Sequence, residues 1–153
     1  MKRAFTIIIL FFFYLSYSQA VKNEYRIRRT EHPPKIDGHL DDVAWDGVET
    51  LGNFVMLEPG NGEPERNQFE TEVKVIYNDH AVYFAIRMND PDPDSILTQL
   101  TQRDNYNQNC DWIGIFINPF NDGLNDFNFW VTASGVQADS KTTTDGNDFG
   151  WNT

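Results

Sequence analysis

The chain has very little cysteine: Cys110 is the only one among 153 residues. A single cysteine excludes an intramolecular disulfide, so the fold has to be stabilised by its core, with or without metal ions. Cys110 carries no nearby signature of a catalytic nucleophile. We therefore expect it to be a small packed side chain next to the start of a strand.

Positive charge is also scarce. Lys and Arg total 12 against 23 Asp and Glu, which gives a net charge of −11 and a pI near 4.5. A strongly acidic protein is repelled by phosphate backbones and by anionic membrane surfaces, so we do not expect nucleic acid as a partner. Neutral ligands and cations are compatible with this charge.

Long apolar runs are few, and the one near the N-terminus is short. Residues 4–15 are apolar, follow two basic residues and lead into small residues up to Ser18. The run is shorter than the ~20 residues that span a bilayer, and its layout is that of a secretory signal peptide. We predict a cleaved signal peptide at residues 1–18 and a mature domain at residues 19–153. Export would place the domain in the periplasm, at the outer membrane or outside the cell.

The sequence does contain short segments of strict alternation, the period of a half-buried strand. Two such segments lie within residues 111–139 and are separated by turn residues. The side chains expected inside are Ile113, Ile115, Ile117, Phe127, Phe129, Val131 and Ala133. The opposite faces carry Trp112, Gly114, Asn128, Trp130 and Thr132.

A second alternating pair, residues 71–77 and 81–88, predicts a hairpin. Met88 falls on the apolar face of this pair and is expected in the core. Upstream, Trp45 lies among small apolar residues in a predicted helical turn, and we expect it to fill the core as well. Several short strands with turns between them and no long amphipathic helix predict an all-β protein, an antiparallel β-sandwich.

Several motifs occur in an order that resembles the family 9 carbohydrate-binding module. They are I-D-G-H-L-D-D-V-A-W (36–45), residues 71–96, R-D-N (103–105), D-W-I-G-I-F-I-N-P-F-N-D-G (111–123), G-V-Q-A-D (135–139) and W-N (151–152). The most similar version lies at the N-terminus of large secreted bacterial proteins. The resemblance implies a jelly-roll-like antiparallel sandwich that binds oligo- or polysaccharide, often with structural Ca²⁺. It also implies further C-terminal strands, so a truncated domain is expected.

Sugar binding of this kind needs aromatic platforms flanked by polar groups. Pyranose rings pack their C–H faces on flat aromatic rings, and their hydroxyls need hydrogen-bonding partners. The candidate residues are Trp112, Trp130, Trp151, Arg87, Arg103, Asp111 and Asn118. The alternative for the tryptophans is that they fill a second layer of the sandwich.

Two oxygen-rich loops are candidates for Ca²⁺, which prefers hard oxygen ligands. The candidate ligands are Asp90, Asp92 and Asp94 in the first loop, and Asp122 and Asp126, with Asn121 and Asn125, in the second. The first loop lacks the central Gly and the terminal Glu of an EF-hand. Each loop is alternatively a solvated turn.

Three other functions are open at this level. A glycoside hydrolase needs two carboxylates about 5–10 Å apart; no motif selects such a pair, so its catalysis would lie outside this segment. A haem-binding sandwich would need axial ligands, for which the candidates are Met56, Met88, His80, His39 and His32. The third alternative is an interaction or cap domain for a membrane barrel that a following C-terminal region would form. Such a domain would need no sugar affinity.

Overall fold

A computed structural model describes residues 24–151 of the chain. The predicted signal peptide lies outside these residues, so its cleavage stays a prediction. Within the described range the chain forms seven β-strands and three short 3₁₀ turns, and no α-helix. No helical segment in this range is long and apolar enough to cross a membrane.

The first sheet has three strands in the order β1-β2-β3, with β1 at Arg28–Arg29, β2 at Thr71–Tyr77 and β3 at Val82–Met88. β2 and β3 form the predicted antiparallel hairpin, and Val75 lies opposite Phe84. Asn78 fixes the turn because its Oδ1 accepts the N–H groups of His80 and Ala81 at 2.9 Å. β1 pairs with β2 in parallel.

The second sheet is a four-stranded antiparallel meander of β4 (Trp112–Ile117), β5 (Asp126–Thr132), β6 (Gln137–Thr143) and β7 (Gly146–Asp148). Gly135 makes the turn between β5 and β6 with φ at 81°, a conformation that glycine adopts without a Cβ clash. Its N–H donates to the carbonyl of Thr132 at 2.8 Å. The two sheets confirm the predicted all-β sandwich class.

Trp45 anchors a core on one side of the first sheet. It belongs to the 3₁₀ turn Val43–Trp45 and is buried, as the sequence predicted. The buried cluster around it consists of Ala44, Trp45, Val48, Ile76 and Ala85, with Leu40 and Tyr83 packed against it. The turn thereby covers one face of the β2–β3 hairpin. Cys110 is also buried, which confirms the expected packed thiol.

The prediction of which face of β5 is inside was wrong. Trp130 is only 4% exposed, and Asn128 and Thr132 on the same face are buried too, whereas Val131 on the opposite face is 44% exposed. The physical reason is a long-range contact. The loop that precedes β4 crosses this face of the second sheet, and Tyr106 from that loop stacks on Trp130 with 4.5 Å between the ring centroids.

The buried amide of Asn128 is accommodated by the neighbouring strand. Its Nδ2 donates to Ser140 Oγ at 3.2 Å and to Thr142 Oγ1 at 2.7 Å. A buried polar group costs little when it is hydrogen-bonded and far more when it is not. These bonds satisfy the amide Nδ2 of Asn128, whereas its Oδ1 has no hydrogen-bond partner among the described residues.

Ile76→Ala should destabilise the protein far more than Ile36→Ala. Ile76 is 0% exposed in the Trp45 cluster, and removing its methyl and methylene groups there should cost about 2–5 kcal/mol. Ile36 is 83% exposed, so the same change should stay within about 0.5 kcal/mol. Urea unfolding followed by tryptophan fluorescence measures both, and equal losses would contradict the assigned core.

Candidate functional site

A cleft of about 570 Å³ lies between the two sheets. It is bounded by Thr71 and Met88 from the paired ends of β2 and β3 and by Ile113 and Val131 from β4 and β5. Met88, which was expected in the core, is exposed at this cleft because it ends β3. The volume falls within the 300–1,000 Å³ typical of small-molecule sites.

The lining of the cleft combines apolar side chains with oxygen-bearing groups. Phe69 and Ile96 add to the apolar wall, and Asn89, Asp90 and Asp111 supply the polar groups. Neither Lys, Arg nor His is found among the lining residues that the structure describes. The cleft therefore offers apolar contact and hydrogen-bond acceptors in a negatively charged setting.

Asp111 is held in place by three hydrogen bonds. Its backbone N–H donates to Leu97 at 2.8 Å, and its carbonyl accepts from Ala133 at 2.8 Å. One carboxylate oxygen, Oδ2, also accepts the N–H of Leu97 at 3.2 Å. The other oxygen has no hydrogen-bond partner within residues 24–151, so it is available to a ligand.

Asp90 has a similar arrangement on the opposite wall. Its Oδ1 accepts the N–H of Asp92 at 2.8 Å, which orders the turn after β3. The second oxygen makes no hydrogen bond to any described residue. The two carboxylates lining the cleft thus each keep one acceptor that the fold does not use.

Trp112 is the exposed tryptophan of this region. It lines the cleft with 45% of its surface exposed. Tyr106 supports it edge-on, with ring centroids 5.3 Å apart and planes at 83°. An aromatic ring held by a second ring but open to solvent is suited to stack on an apolar ligand face.

Trp130 does not provide such a platform, and this prediction needs correction. Tyr106 stacks on it at 4.5 Å, Phe149 lies nearly parallel at 6.0 Å, and Phe116 meets it edge-on at 5.5 Å. Gly114 faces the same indole across the β4–β5 pair. Trp130 is therefore a buried structural ring, as the second-layer alternative proposed.

Trp151 lies on the other face of the second sheet. Its ring contacts Phe127 at 5.0 Å and Phe129 at 6.2 Å, both on the face of β5 that points away from Trp130. The three candidate tryptophans therefore do not converge. Only Trp112 combines exposure with a place in the cleft.

The four polar residues predicted to bind sugar also lie in different parts of the structure. Arg103 forms an ion pair with the buried carboxylate of Asp139, on β6. Asn118 donates to Asp122 Oδ1 at 3.1 Å within the β4–β5 turn. Arg87 lies on the far face of the first sheet, next to Trp45. Of the four polar candidates, Asp111 is the one that lines the cleft.

The candidate calcium ligands are not gathered into one cage. Among residues 24–151, no three His, Cys, Asp or Glu side chains are placed to share a metal ion. Asp90 lines the cleft, and Asp126 starts β5 opposite Thr142. Asp92 and Asp94 are exposed in the loop after β3. Calcium binding stays a prediction.

Asp122 acts as the organiser of its turn. Its Oδ1 accepts the N–H groups of Leu124 at 2.8 Å and Asn125 at 3.0 Å, and its Oδ2 accepts from Asn125 Nδ2 at 2.6 Å. These bonds, the one from Leu124 above all, hold the pKa of Asp122 well below its ordinary value of 3.8. Both oxygens of the carboxylate are thus used in hydrogen bonds within the turn.

Several residues of the site were not found from the sequence. Phe69 reaches the cleft from the 3₁₀ turn Asn67–Phe69, and Thr71 from the start of β2, while Tyr106 supports Trp112 from a polar loop. Each contact joins distant parts of the chain, so no local pattern marks it. The one available signal was Tyr106 itself, an isolated aromatic residue in a polar loop.

The fold is a β-sandwich with a cleft whose lining includes the aromatic side chains of Phe69 and Trp112. The chain belongs to the carbohydrate family 9 binding domain-like family, whose model matches residues 36–152. This match confirms the resemblance seen in the motifs. No curated protein and no solved structure matches the chain.

Gly114→Ala should disturb the aromatic cluster. A Cβ at Gly114 would lie 2.9 Å from the Phe116 ring and 3.0 Å from the Trp130 indole, so the rings must move. We expect a loss of about 1–3 kcal/mol in unfolding free energy and an altered near-UV circular dichroism spectrum. Gly52→Ala is the control, because its nearest neighbour would be Thr71 O at 3.7 Å. Equal behaviour of the two variants would argue against the packed indole.

Asp122→Asn should flatten the acid dependence of stability. Because the folded-state pKa of Asp122 is lowered, its contribution is present above about pH 4 and is lost as pH falls through the folded pKa. The free energy of unfolding should therefore decline less steeply below about pH 4 in the variant than in the wild type. Asp94→Asn, at an exposed position in the 3₁₀ turn Pro93–Ser95, is the control, because it removes a carboxylate without removing these hydrogen bonds. Identical slopes for Asp122→Asn and the wild type would contradict this role.

Proposed function

We propose that this chain is a secreted, non-catalytic carbohydrate-binding domain that holds a sugar in the cleft between its two sheets and serves carbohydrate catabolism. The observation that carries the proposal is the exposed ring of Trp112 beside the carboxylates of Asp111 and Asp90. Membership of a carbohydrate-binding family gives this arrangement its ligand class.

The chemistry of the cleft fits one face and one edge of a pyranose. The C–H face of the ring would stack on Trp112, while Met88 and Phe69 extend the apolar contact. The free oxygens of Asp90 and Asp111 accept hydrogen bonds from hydroxyl groups, and the hydroxyl of Thr71 and the amide of Asn89 can both donate and accept.

The charge of the cleft selects among sugars. The described lining holds two carboxylates and no cationic side chain, within a chain of net charge −11. A uronic acid would bring a third negative charge into this space, which costs interaction energy that a neutral sugar does not. We therefore assign the cleft to uncharged oligo- or polysaccharide.

Export is part of the same proposal. The support is the apolar segment at residues 4–15, preceded by basic residues and followed by small ones. A domain outside the inner membrane would meet polysaccharide directly. Hydrolysis of the bound sugar would belong to another region, because no sequence motif in this chain selects a carboxylate pair for it.

Trp112→Ala should weaken binding of neutral oligosaccharides at least about tenfold, because it removes the stacking surface. Titration of the purified protein with a panel of neutral glucans, xylans and mannans, followed by calorimetry, measures the change. Asp111→Asn should also weaken binding, since it removes one charged acceptor, while the remaining amide oxygen can replace Oδ2 as the acceptor of the Leu97 N–H.

Phe120→Ala is the matched control. Phe120 is exposed and lies outside the cleft lining, so its removal should leave affinity unchanged. Glucuronate oligomers should bind more weakly than their neutral counterparts. Absence of binding to every sugar in the panel would overturn the proposed function, and equal losses in Trp112→Ala and Phe120→Ala would overturn the assigned site.

A further inference from the structure

A second, smaller cavity lies on the opposite face of the first sheet. It has a volume of about 90 Å³ and is lined by Leu40, Trp45, Glu72, Lys74, Ala85 and Arg87. This space equals roughly three water molecules at about 30 Å³ each, which also suits one carboxylate group. The cavity is separate from the sugar cleft, with which it shares no lining residue.

Trp45 contributes a buried donor without an acceptor. The indole Nε1 is inaccessible to solvent and has no hydrogen-bond partner among the described residues. A buried N–H that stays unpaired costs about 1–3 kcal/mol, and the great majority of such groups in native proteins are paired. Trp45 is one of the residues that line the cavity, so an acceptor held there could pair with this N–H.

Lys74 and Arg87 bring two positive charges to the same place. Lys74 lies opposite Ala85 in the β2–β3 register, and Arg87 is two residues further along β3, so the two side chains are diagonal neighbours on one face. Diagonal neighbours stand about 7–8 Å apart, a separation that an anion can bridge. Lys74 Nζ also donates to the carbonyl of Trp45 at 3.4 Å, which places the ammonium beside the indole residue.

Neither cation is neutralised by the fold. Within the described part of the chain, neither Lys74 nor Arg87 forms an ion pair at 4.0 Å or less. Glu72 lies directly opposite Arg87 in the register, yet it makes no such pair. Both cations therefore remain without an ion-pair partner at one small cavity, in a chain with 12 basic and 23 acidic residues.

We propose that this cavity binds a carboxylate. Three residues with donor groups line it: Arg87 with its guanidinium, Lys74 with its ammonium and Trp45, whose indole N–H is unpaired. Charge-assisted hydrogen bonds from such groups are the strong ones, and a planar carboxylate offers two acceptors for them. The carboxylate comes either from a small free acid or from an acidic sugar, which the cleft itself disfavours.

The test follows the Trp45 indole resonance in a ¹H–¹⁵N spectrum of the purified protein, assigned with Trp45→Phe. Sodium acetate should shift this resonance saturably, and sodium chloride at equal ionic strength should not. Sodium glucuronate tests the sugar source: a shift shows that a sugar carboxylate also enters, and its absence restricts the site to small acids. The Trp112 resonance reports ligand binding in the sugar cleft in the same spectra. A failure of the carboxylate proposal can therefore be distinguished from a failure of the sugar-binding proposal.

Substitutions distinguish a bound carboxylate from trapped water. Arg87→Gln and Lys74→Gln should each weaken acetate binding roughly tenfold, the change expected when one charge-assisted hydrogen bond is lost. Glu72→Gln should strengthen it, a gain that partial unfolding cannot produce. Arg26→Gln, at an exposed position outside the cavity, is the control and should change nothing. A Trp45 resonance that responds to acetate no more than to chloride would overturn the proposal and leave water as the occupant.

Discussion

The stacking of Tyr106 on Trp130 is the contact on which the arrangement of the site depends. It fixes the loop that precedes β4 to the second sheet, and the same tyrosine supports Trp112 edge-on. Gly114 leaves the room that the Trp130 indole needs. Because Asp111 and Trp112 directly follow this loop, the contact that buries one tryptophan also holds the exposed one at the cleft.

Local patterns predicted the local elements well. Alternation and turn residues identified the β2–β3 hairpin, the β4–β5 pair and the Trp45 turn, because each depends on neighbours in the chain. Alternation also grouped Trp112 and Trp130 on one face. It could not say which face of β5 is covered, since the cover is Tyr106 from a distant loop, and the side chosen as the interior was therefore wrong.

The candidate site was predicted less well for a related reason. Composition identifies side chains able to bind sugar, but it does not show which of them the fold already uses. Arg103 is paired with Asp139, and Asn118 is bound to Asp122, whereas Asp111 keeps a free oxygen. The apolar wall of Phe69, Met88 and Ile96 comes from segments that are distant from Trp112 in the chain, so no single stretch of sequence marks it.

The first sheet separates two environments of opposite charge. One face borders the cleft with its carboxylates, and the other carries Lys74 and Arg87 beside the Trp45 indole. The most direct test of sugar binding in the cleft is intermolecular nuclear Overhauser measurement with a bound neutral oligosaccharide. Contacts from the sugar C–H protons to the Trp112 ring are predicted, and contacts to Trp151 or Phe116 without Trp112 would contradict the assignment.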